Sequence, residues 1–152
     1  MTKAALKPPA AADLYERDFY AWARGQARAM AAREREALDI ENLIDEVEAV
    51  GRSQRAAIES HLGVLILHLL KFRFQPTRAT VSWRITLRNQ RQDIERLMTR
   101  SPSLRGYPAE ILGETYEYAV RRAVLETGLD EAAFPLEPPF TLAQILDPDF
   151  VP

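Results

Sequence analysis

Leu62-Gly63-Val64-Leu65-Ile66-Leu67-His68-Leu69-Leu70 is the stretch whose reading decides the fold. Apart from His68 it is wholly apolar, and a helix that is apolar nearly all round is buried nearly all round. Lys71-Phe72-Arg73-Phe74-Gln75-Pro76 follows directly. Pro76 must end the helix, because the residue before a proline disfavours helical geometry. His68, Lys71, Arg73 and Gln75 therefore crowd into the last two turns of a buried helix. Polar groups at such a mouth either lock the structure or form a site.

Working outward, every periodic segment carries helical spacing. Ala11 to Met30 reads as a first helix, with Asp13 as its cap and Leu14, Phe19, Trp22, Ala23 and Met30 as its apolar stripe. Whether it runs on through residues 31–38 is open. A second begins at Asp39, where Ile40, Leu43, Ile44, Val47 and Val50 share a face, and it continues to Phe74 with a bend or a break open at Gly51. A third is expected from about Thr80 to Thr99, with Trp83, Leu87, Ile94, Leu97 and Met98 inward, ending before Ser101-Pro102-Ser103. A fourth covers Pro108 to Thr127 and faces the core with Ile111, Leu112, Tyr116, Ala119, Ala123 and Val124. Pro108 suits a first turn, and Gly128 a C-terminal cap. After Phe134 five prolines make the tail mostly extended, with one short helix, Leu142 to Leu146, capped by Thr141. The fold class is all-α, a bundle of four main helices with a proline-rich C-terminal strap. Residues 1–12 are expected as a flexible N-terminal segment, and 13–152 as a single helical domain.

The order of blocks carries a family resemblance. DLYERDFYAW (13–22), LDIENLIDEVEAVG (38–51), HLGVLILHLLKFRFQP (61–76), SWRITLRNQR (82–91), SPSLR (101–105), ETGL (126–129) and FP…ILDPDFVP, which ends at Pro152, follow in sequence. In that order they resemble a bacterial family catalogued as domain of unknown function twenty-nine. The likeness spans nearly the whole chain. It departs at Phe72 and Phe74, where tryptophan and tyrosine are usual, and at Val151, where tryptophan is usual. These swaps stay apolar and mark packing positions. The resemblance implies a compact helical fold and a bacterial source, and it brings no activity, substrate or catalytic residue.

Composition bounds the function classes. The chain has 152 residues, about one domain. Its 47% hydrophobic and 28% charged content is ordinary for a soluble globular protein. The absence of cysteine excludes disulfides and thiolate-bound zinc. The longest apolar run falls far short of the roughly 20 residues that cross a bilayer, and residues 1–12 lack a signal-peptide core. No membrane association and a cytoplasmic location are expected. Charge is strongly patterned. Five acids and no base lie between Asp39 and Val50, nine bases against two acids between Lys71 and Gly106, and nine acids against two bases thereafter. Such blocks suit packing of unlike elements, or of two copies, better than a dedicated nucleic-acid binder, whose charge is one-sided.

The candidate chemistry is sparse. His61 and His68 lie two turns apart, about 10.5 Å along a helix and too far to share one ion. No metal site and no cofactor are expected. His68 is the candidate catalytic residue, paired with Glu46 first and Glu48 second. Such a pair could serve as a general base, although a buried histidine held by one carboxylate is the simpler reading. Lys71, Gln75, Trp83, Arg84, Arg88 and Arg91 are the candidate ligand-binding residues. Arg84, Arg88 and Arg91 share one helical face, with Arg91 nearest the apolar stripe and expected to pair with an acid. Their partners are either an anion or neighbouring carboxylates, and the basic segment 71–106 lacks a recognisable nucleic-acid motif. No serine sits in a nucleophile elbow. Three readings survive. The first is a protein-interaction module that self-associates as a homodimer, favoured by the aromatic-rich first helix and by charge blocks of both signs. The second is a small enzyme or ligand or metal binder around His68. The third, less favoured, is nucleic-acid contact through 71–106.

Overall fold

The computed structural model describes residues 11–152. The segment expected to be flexible lies, through residue 10, outside the described residues, while residues 11 and 12 open the first helix. In chain order the helices are α1 (Ala11–Arg17), α2 (Phe19–Ala32), α3 (Ile40–Phe74), α4 (Val81–Arg100), α5 (Tyr107–Thr127) and α6 (Leu142–Leu146). No strand occurs among the described residues, so the fold is all-α, as the periodicity demands. The chain forms two compact units, one ending at Arg52 and the other comprising Ser53–Pro152. α3 gives its first turns to one and the rest to the other.

In the N-terminal unit the single helix expected over Ala11–Met30 is two helices, because Asp18 leaves helical geometry (φ −152°, ψ 79°) to cap α2. Its carboxylate accepts the Ala21 N–H at 3.0 Å. Aspartate competes for main-chain donors in this way, which disfavours it inside helices. Asp13, expected as the cap, lies within the first turn of α1 and pairs with Arg17 at 3.1 Å. α2 stops at Arg33, which takes a left-handed conformation (φ 59°) with its N–H on the last carbonyls of the helix. Residues 31–38 therefore do not prolong α2, and a short 3₁₀ turn over Arg35–Ala37 leads to α3.

That turn is pinned by a polar network. Buried Gln26 donates to the Ala37 carbonyl at 3.2 Å and accepts the Asp39 N–H at 2.8 Å. The Trp22 indole N–H and the Asn42 amide both donate to Asp39 Oδ2, at 3.1 and 2.8 Å. These bonds hold the Asp39 carboxyl below its ordinary range, Asn42 contributing most, partial burial opposing, and Trp22 adding to Asn42.

α3 runs unbroken for 35 residues, straight through Gly51. A helical glycine costs only about 1 kcal/mol against alanine, which the good helix formers on either side absorb. The core of the C-terminal unit is built on the second half of this helix. Ile58, Leu62, Leu65, Ile66, Leu67, Leu69 and Leu70 are all fully buried. α4 lays Leu87, Ile94 and Met98 into the core, with Trp83 and Leu97 partly buried beside them, and α5 adds Tyr116, Ala119 and Ala123. Thr80 caps α4, and Gly128 closes α5 with a φ of 72° that suits a residue without Cβ.

The strap is part of this core. Phe134, Phe140 and Ile145 are buried, and Phe134 packs edge-on against Phe74. Tyr116 donates to the Pro135 carbonyl at 2.7 Å. Thr141 and Gln144 form a reciprocal capping box at the start of α6. The expectation that Arg91 pairs with an acid is corrected here. Its guanidinium reaches the main-chain carbonyls of Ile145 (2.8 Å), Pro148 (3.4 Å) and Phe150 (2.9 Å). A chain end rich in prolines has few partners for its own carbonyls, and a planar fork of five N–H donors supplies three at once.

Candidate functional site

The mouth of the buried helix is occupied by structural contacts. His68 is half-buried, and its Nδ1–H donates to the Val64 carbonyl one turn back, at 2.9 Å. Glu46 and Glu48 do not serve it. Both lie on α3 itself, which runs on through Gly51, the position where a bend or a break was open. Glu46 accepts from Tyr15 at 2.6 Å, and Glu48 pairs with Arg52 at 3.3 Å. The Glu46 bond is the main reason the Tyr15 phenol is pushed up to about 12.

The acid near His68 is Glu126 of α5, which no helical pattern singles out. Glu126 binds Lys71 at 2.9 Å and Arg122 at 3.3 Å. Burial raises its carboxyl, but the Lys71 hydrogen bond and charge outweigh this and leave it below the ordinary value. Lys71 also sits 4.6 Å above the Trp83 ring, and Gln75 donates to the Thr127 carbonyl at 3.0 Å. Lys71, Gln75 and Trp83 thus come together, yet each is spent on closing α3 against α4 and α5. Among the described residues no three His, Cys, Asp or Glu side chains are grouped so as to hold a metal ion.

Burial pulls the His68 imidazole below its ordinary 6.5; Lys71 and Arg122 lower it further, while the Val64 carbonyl and Glu126 push it up. A histidine whose folded value is depressed binds fewer protons than in the unfolded chain. Its contribution to stability is therefore present above pH 6.5 and is lost as pH falls through the folded value. The unfolding free energy is expected to decline on acidification below pH 6.5, and His68→Gln to flatten that part of the profile. Equal slopes for the two proteins in urea denaturation series would refute the assignment.

The basic row divides. Arg91 is buried on the strap carbonyls, whereas Arg84 and Arg88 are exposed on the same face of α4. Lys71, Arg96 and Arg105 of the same segment each have a carboxylate within 2.9–3.5 Å. Arg84 and Arg88 have none among the described residues, and Arg84 rests 5.8 Å from the Phe72 ring.

The most conspicuous exposed apolar surface lies in the N-terminal unit. The stripe that the sequence marks as the inner face of the Asp39 helix is exposed, with Ile40 53%, Ile44 53%, Val47 71% and Val50 61% accessible. On α2, Phe19 and Met30 are each 50% accessible. Trp22 is instead buried, with Tyr15 and Phe19 rings packed on it at 4.9 and 5.4 Å. A shallow groove of about 220 Å³ runs between the helices, its walls including Phe19, Ala23 and Met30 on α2 and Leu43, Val47 and Val50 on α3. Arg24 and Arg28 on α2, and Glu41 and Asp45 on α3, meet no opposite charge among the described residues, and none of the four lines the groove.

Among the described residues no helix is long and apolar enough to cross a membrane. The model of one protein family, described as Domain of unknown function DUF29, matches residues 14–151. No curated protein and no solved structure matches the chain.

Proposed function

The chain belongs to the DUF29 family, which carries no activity with it, and we propose that it is a helical protein-interaction module that pairs with a second copy of itself through the apolar face of its N-terminal unit. The observation behind this reading is the exposed row Ile40, Ile44, Val47 and Val50 beside Phe19 and Met30. Contiguous apolar surface of this kind marks interfaces. A second copy is the occupant because a twofold contact lets the same apolar stripe serve both sides, and the two helices carry unpaired charge of both signs, Arg24 and Arg28 on α2 and Glu41 and Asp45 on α3.

Magnitudes agree with a reversible pair. Burying the exposed part of these six side chains in both copies is worth on the order of 10 kcal/mol. The freedom lost on association costs roughly 4–15 kcal/mol. The two nearly offset, so pairing is expected to be weak and to depend on protein concentration.

Val47→Glu places a charge at the centre of the face without touching the C-terminal core. Light scattering at tens of micromolar is expected to return the 17.3 kDa monomer mass for this variant with unchanged helical circular dichroism. A variant that still pairs like the parent would show that another surface is used.

A further inference from the structure

A groove of about 580 Å³ lies along α4 beside the end of the strap, lined among others by Arg84, Arg88, Arg91, Gln92, Asp149 and Val151. All of its residues belong to the C-terminal unit. Arg84, Arg88 and Gln92 recur one turn apart on one helical face, so their side chains are neighbours. Neither exposed arginine has a carboxylate partner, whereas other bases of the same segment do. The Phe72 ring beneath Arg84 holds its guanidinium in place.

Arg91 forms the wall behind them. It is 6% accessible, and its three hydrogen bonds go to neutral carbonyls. No carboxylate touches it; Asp147 and Asp149 act on it only through space. A buried cation without a contacting counter-ion projects its field into the adjoining groove. Three guanidinium groups against the one carboxylate of Asp149 leave the lining with a charge of two positive.

We infer that this groove binds a small phosphorylated molecule, its phosphate dianion held by the forks of Arg84 and Arg88 with Arg91 behind. Guanidinium matches phosphate oxygens bidentately. Leu87, Pro148 and Val151 offer an apolar side to the remainder of the ligand. The carboxylate of Asp149 in the lining repels every phosphate that comes near it, so a single dianion suits the groove better than a continuous polyanion.

The test is calorimetric titration of the full chain with phenyl phosphate, which joins a dianion to an apolar ring. Saturable one-to-one binding is expected, weakened at least tenfold by Arg84→Gln with Arg88→Gln, both of which are exposed positions. Asp149→Asn is expected to tighten binding several-fold, a gain that misfolding cannot produce. Absence of saturable heat, equal binding by the double variant, or no gain with Asp149→Asn would overturn the inference. So would a short labelled single-stranded DNA that binds more tightly than phenyl phosphate and loses its affinity in the same double variant, since the phosphate would then belong to a strand.

Discussion

Leu65→Ala is expected to lower the unfolding free energy by about 2–5 kcal/mol. Leu65 is fully buried in the half of α3 on which the C-terminal core is built, as is Leu69 one turn later. Removing three carbon atoms there forfeits the transfer energy of the side chain and leaves a cavity. Helices on several sides of α3 cannot all move to fill it. Leu65→Met keeps the volume and should cost less than about 1.5 kcal/mol. The comparison separates cavity formation from a general intolerance of change. Denaturant midpoints check both. A midpoint for Leu65→Ala equal to that of the parent would mean that α3 does not carry the core.

Arg91→Ala is expected to cost about 3 kcal/mol. The change strands three main-chain acceptors at the strap, each unsatisfied group being worth roughly 1–3 kcal/mol to the extent that water cannot reach it. The strap buries its own Phe134, Phe140 and Ile145 in the core, so its release exposes apolar surface as well. Arg91→Lys should rescue little, since one ammonium cannot reach the carbonyls of Ile145, Pro148 and Phe150 together. Limited proteolysis provides the second readout. In both variants cleavage is expected between Phe134 and Pro152 before the rest of the chain is cut. A tail as resistant as that of the parent would place the anchor of the strap elsewhere.

The helices are legible because their faces repeat with helical period and their ends carry chemistry: Pro76, Pro102, Gly128, and Thr141 before α6. The break at Asp18 is not, because one aspartate in an otherwise helical run has the same composition whether it caps or is carried along. The partners of Arg91 leave no trace in the sequence, since a carbonyl is common to every residue. His68 shows a subtler failure. Its polar neighbours Lys71 and Gln75 are legible, but the acid beside it comes from α5, and the acids on its own side of the chain sit on the same helix. The stripe Ile40, Leu43, Ile44, Val47 and Val50 is plain as an apolar face. Periodicity says that such a face needs covering and is silent on whether the cover comes from the same chain. Only the exposure of Ile40, Ile44, Val47 and Val50 in the folded N-terminal unit turns most of the stripe from a core feature into a surface fit for a partner.

Sedimentation equilibrium of the unmodified chain tests this claim most directly. At tens of micromolar a concentration-dependent rise from 17.3 kDa towards twice that mass is expected. A single 17.3 kDa species across that range would contradict it.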